Sequence, residues 1–130
     1  MGIPTATKRD VQILSSLNTT QQFVFDSTDN DNLSNTILVD SSALADSKTN
    51  AIRVEYIKIV GSPGIAASVA IDPSGDNTHV ITLPLGAMEV EMDFRDKSIG
   101  GPMGTGDLVA TSRSGANGDE IMIFAECNVS

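Results

Sequence analysis

Aromatic side chains are scarce in this chain, which has no Trp, one Tyr and four Phe, or 4% of 130 residues. Aromatics bury the most area per residue, so a core of Val, Ile, Leu, Met and Ala must be thin, and burial at a subunit interface would support it. An oligomer or a docked subunit is therefore expected. With a single cysteine, Cys127, neither an intrachain disulfide nor a Cys-rich zinc site can form. Its place in the apolar run EIMIFAEC marks it as a small buried hydrophobe. Basic residues are few: eight Lys and Arg stand against seventeen Asp and Glu, a net charge of -9. That balance repels phosphate backbones and anionic membranes, so neither is expected as a partner. No apolar run is long enough to cross a bilayer, and MGIPTATKRD lacks the apolar core of an export signal. Secretion by the usual route is not expected.

What the chain does have is a train of short alternating apolar runs from Ala51 onward: AIRVEYIKIV, ASVAID, HVITLPL, AMEVEMDF, DLVATS and EIMIFAEC. Gly, Asp, Asn and Pro turns separate them, and no long helical period appears, so the pattern predicts an all-β fold. We expect an antiparallel β-sandwich, jelly-roll-like, or a barrel of about eight strands, with an extended N-terminal arm. Residues 1 to 20 are read as that arm or an edge segment, and residues 21 to 130 as a single β-sandwich domain.

Within the runs, QQFVFDS places Phe23 and Phe25 on one face, and SSALADSKTN has room for one helical turn capped by Ser41 or Ser42. AIRVEYIKIV changes parity between Ile52/Val54 and Ile57/Ile59. That implies a β-bulge near Glu55 and Tyr56, or a strand that moves between two sheets. ASVAID and HVITL read as a hairpin across DPSGDN. The clearest alternation puts Met88, Val90, Met92 and Phe94 inward and Glu89, Glu91, Asp93 and Arg95 in water. Residues 98 to 106 read as a long Gly-rich surface loop, and DLVATS and EIMIFAEC as a pair across SRSGANGD.

No catalytic kit stands out. Catalysis by Ser or Cys needs a positioned base, and the one histidine, His79, opens a strand after a turn, where it caps or faces solvent. Glu89, Glu91 and Asp93 share one strand face, as on any solvated sheet, and aromatics are too few for a sugar-stacking pocket. Asp26, Asp29 and Asp31, with Asp40 beyond, offer oxygen ligands for calcium around a flexible turn, but the EF-hand loop's Gly and terminal Glu are missing. Turn chemistry explains them better. GGPMGTG lacks the Lys and Ser or Thr of a phosphate-binding loop, so loop flexibility or close backbone packing accounts for its glycines. No catalytic residue, metal or cofactor is expected.

The segments VEYIKI, SVAID, MDF, IGGP, GTGDLVATS and NGDEIMIFAE, in that order from about residue 54 to 125, resemble a family of small β-rich virion proteins of tailed bacteriophages. Members are usually found among head and structural genes. The resemblance implies a non-enzymatic capsid decoration or cement protein at the capsid surface, made in the host cytoplasm and bound to the major capsid protein. It also fits a homo-oligomer, with a trimer as one form. Apolar residues in polar segments are the expected docking contacts: Ile3, Pro4 and Val11 in the arm, and Ile99, Pro102 and Met103 in the Gly-rich loop. Ile99 and Met103 could equally cover the end of the sandwich. Alternatives are a tail or head-tail adaptor subunit and a carbohydrate-binding β-sandwich.

Overall fold

The computed structural model describes residues 2–28, 31–44, 51–72, 75, 77–95 and 100–129. Ten strands run through them in chain order: β1 (Thr5–Ile13), β2 (Ser16–Val24), β3 (Thr36–Val39), β4 (Ala51–Gly61), β5 (Ala66–Ile71), β6 (Thr78–Leu83), β7 (Glu89–Asp93), β8 (Met103–Thr105), β9 (Leu108–Arg113) and β10 (Glu120–Val129). They form two antiparallel sheets. The wider has the order β1-β2-β10-β4-β7, with β8 also paired to β4, and the narrower has the order β3-β9-β5-β6. This is a sandwich with separate sheets and not a closed barrel.

The core lies between the sheets, where period-2 alternation points one residue in two inward. From the wider sheet come Phe23, Ile57, Ile59, Ile121 and Ile123; from the narrower come Val69, Ile71, Leu83 and Leu108, all buried. Ile and Leu carry most of this layer, as the poverty in aromatics requires. Gln21 reaches across from β2, its side-chain amide donating to Leu38 O at 2.7 Å, so the buried amide N–H has a partner.

The bulge expected in β4 is present. Glu126 of β10 stands opposite Tyr56, but Cys127 stands opposite Val54, so Glu55 is the extra residue and parity switches there. Ile52 and Val54 before it and Ile57 and Ile59 after it all face the core. The strand stays in one sheet, and the bulge marks a change of neighbour: residues 51–53 pair with β8 and residues 56–60 with β7. Glu55 O accepts from Phe94 N at 2.8 Å, and Val54 N donates to Pro102 O at 2.9 Å.

Several expectations are corrected. Of the two readings of the first 20 residues, the edge segment holds and the arm does not: β1 is the edge strand of the wider sheet, in a two-residue hairpin with β2, and with β8 it brings the strands among the described residues to ten where about eight were expected. The Gly-rich loop yields the short strand β8 because Gly101 lets its backbone lie flat on β4; a Cβ there would sit 1.7 Å from Val54 O. β9 and β10 do not pair. β9 lies between β3 and β5, β10 lies between β2 and β4, and residues 114–119 cross from one sheet to the other. A 3-10 turn at Ser41–Ala43 is capped by Asp40, one residue earlier than expected, through bonds from Ser42 N at 3.1 Å and Ser42 Oγ at 2.7 Å. The β5–β6 hairpin forms as read. On β7, Val90 and Met92 do stand beside the core residues Ile59 and Ile57, yet Met88 and Met92 remain 49% and 43% exposed. Their inward face is not covered.

Candidate interaction surface

The wider sheet has one strand more along its path than the narrower, so its margins overhang. At one margin β1 is exposed along nearly its whole length. Its inner side carries Lys8, Asp10 and Gln12, which with Leu17, Asp40 and Leu44 line an open recess of about 290 Å³. Lys8 Nζ lies 3.2 Å from Asp10 Oδ2, and Thr19 donates its hydroxyl to Asp10. Across the recess, the bonds from Ser42 hold the Asp40 carboxyl below its usual range.

The β1–β2 turn is strained and apolar. Leu14 has φ 53 and is 76% exposed, with Ile13 beside it at 69%. Left-handed backbone costs a residue with a Cβ roughly 1–2 kcal/mol. An exposed leucine held there gains nothing from the fold. The opposite margin repeats the combination, with Met88 at φ 68, Gly86 at φ 84 and Leu85 also exposed.

Beside that second margin, the outer face of the wider sheet is a connected charged surface. Lys58 meets Glu89 at 3.4 Å, Tyr56 donates its hydroxyl to Glu91, and Arg95 meets Asp93 at 2.8 Å and Glu126 at 3.6 Å. The Arg95 guanidinium lies over the Tyr56 ring, 4.8 Å from its centroid, and Tyr56 meets Phe124 edge-on at 5.7 Å. The hydrogen bond to Glu91 raises the Tyr56 pKa, and bonding to Asp93 raises that of Arg95, so both keep their protons.

The expected docking residues do not converge. Ile3 is exposed but Pro4 is buried, both at the end of the sheet where Gly2 O accepts from Asp31 N at 3.3 Å. Val11 and Met103 are exposed near the other end. Ile13, Ser16, Asn128, Arg53 and Met103 form one row across the sheet, so Ile13 and Met103 stand four strand spacings, about 19 Å, apart. Pro102 is half-buried, and Ile99 lies outside the described residues. The sequence reading missed Leu14 and Leu85. The available signal was a leucine in a turn position, where glycine or asparagine is usual.

The other candidates do not assemble into a site. Asp26 Oδ1 accepts from Thr28 N and Thr28 Oγ1, both at 2.8 Å, an Asx turn; Asp31 is exposed, and Asp29 lies outside the described residues. Among the described residues no group of three His, Cys, Asp or Glu side chains could hold a metal ion. His79 is exposed on the narrower sheet, within 3.2 Å of Thr82 Oγ1, whereas Cys127 is buried in the wider sheet's core face. Burial, with Glu55 and Glu126 nearby, pushes the Cys127 thiol up to about 12. It stays protonated and unreactive at neutral pH. Neither a family model nor a curated protein matches the sequence.

Proposed function

We propose that the chain is a non-enzymatic virion structural protein, a decoration or cement protein that docks on a phage head lattice by its exterior and stabilises it. The observation that carries this reading is the pairing of exposure with strain at Leu14 and Met88. Each residue costs the free protein twice, once in backbone conformation and once in uncovered apolar surface, and an apolar partner surface would return both. A domain with a thin aliphatic core and exposed apolar turns at both margins of its wider sheet suits a subunit completed by its neighbours. Because such a subunit binds the assembled lattice and not dissociated capsid protein, its binding free energy adds to shell stability by linkage. Its acidity keeps it soluble before docking.

A carbohydrate platform gains no support: the one tyrosine is covered on a ring face by Arg95. The test is saturable co-sedimentation of the purified chain with heads that lack it, together with raised heat resistance of the loaded heads. Failure to bind assembled heads would overturn the reading, and binding to separated tails alone would move it to the tail.

A further inference from the structure

The free edge of β1 carries a self-complementary pattern. Ser15 O accepts from Val129 N at 2.7 Å and Phe25 N donates to Asp119 O at 2.8 Å, so odd-numbered residues along β2 bond toward β10 and even-numbered ones toward β1. In the register that sets Ile13 opposite Ser16, the odd residues of β1 receive those bonds. The backbone N–H and C=O groups of Ala6, Lys8, Asp10 and Gln12 therefore point out of the sheet. Among the described residues no strand pairs with this edge. Pro4, which has no N–H, closes it at one end.

Charges on an edge strand usually keep other strands away. Here they do so selectively. An antiparallel partner related by a twofold axis at Arg9, the midpoint of the nine-residue strand, overlaps it from Thr5 to Ile13 and sets Lys8 opposite Asp10 of the second copy, twice. An axis at Lys8 or Asp10 shortens the overlap and opposes like charges with no opposite-charge pair in return. The chosen register also brings Arg9 against Arg9 on the outer face, the one unfavourable contact. Among the described residues no strand of the narrower sheet pairs with or is stacked on β1, whose residues are almost all exposed.

We propose that β1 pairs antiparallel with β1 of a second copy about an axis at Arg9, fusing two wider sheets into one continuous sheet. The pairing belongs to the free chain and does not depend on what it docks onto.

The test joins sedimentation equilibrium with site-directed cross-linking of the full chain. The wild type sediments as a dimer. Lys8→Asp turns two attractive cross-strand pairs repulsive and weakens the dimer by about tenfold or more. The exchange Lys8→Asp with Asp10→Lys restores it, and Arg9→Thr tightens it. In this register the Arg9 Cα atoms lie about 4.5 Å apart, so Arg9→Cys closes a disulfide on mild oxidation, while Thr7→Cys, which faces Val11, does not. The native thiol, Cys127, is buried and does not compete. A wild type that is monomeric or trimeric, cross-linking at Thr7→Cys equal to that at Arg9→Cys, or a charge exchange no better than Lys8→Asp alone would each overturn the pairing.

Discussion

β10 and β1 belong to one sheet and have nearly equal lengths, yet their surroundings differ throughout. In β10 every second residue from Ile121 to Val129 is buried, while β1 is exposed on both faces. The difference lies above them as well as within them, since β1 turns Lys8, Asp10 and Gln12 inward where β10 turns Ile121, Ile123 and Ala125. The narrower sheet covers β2, β10 and β4 and stops short of β1, and Met92 at the other margin is left open in the same way although Ile57 beside it is fully buried. Alternation in a strand fixes which residues share a face. Coverage of that face is decided by another sheet.

Matched substitutions sharpen this contrast most strongly. Ile57→Ala in the covered centre should lower unfolding stability by about 2–5 kcal/mol, and Met92→Ala, its cross-strand neighbour, by less than about 1 kcal/mol, both read from urea melts. Equal losses would break the distinction. The next effect concerns Cys127 in the same covered layer. Its thiol holds its proton to about pH 12 when folded, against 9.0 as the ordinary value, so the unfolded chain deprotonates first. The thiol's contribution to stability is complete below pH 9 and is lost as the pH rises toward 12, a decline that Cys127→Ala should flatten. Gly101→Ala should cost about 1–3 kcal/mol by pushing the added methyl into Val54 O, with faster amide exchange at β8 as its local sign. The smallest change should be a gain: Leu14→Gly removes the strain at the open margin and should raise unfolding stability, read from urea melts, by up to about 1 kcal/mol. Under the proposed function, the same variant should bind phage heads more weakly.

Much of the fold was legible along the chain. The bulge at Glu55 could be read because Ile52, Val54, Ile57 and Ile59 break parity, and the β5–β6 hairpin because DPSGDN is turn chemistry between two apolar runs. β1 was only half legible: TATKRDVQI has no dry face, and so it reads equally as an arm or as an edge strand. β8 was hidden because Gly101 and Gly104 suggest freedom, when Gly101 serves close backbone contact. The sheet assignments of β9 and β10 are set by which apolar faces meet across the core, a long-range property that turn residues between them do not carry. Of the residues singled out for contact, Ile3, Val11 and Met103 are exposed and Pro4 is buried, while the strain at Leu14 and Met88 resides in backbone angles.

The claim that the overhanging margins of the wider sheet are where this protein meets its neighbours is tested most directly by amide hydrogen exchange on the free chain and on the chain bound to phage heads. The account predicts slower exchange on the heads over residues 14–15 and 84–93, with β10 equally slow in both states. Unchanged exchange at both margins in the bound chain would contradict it.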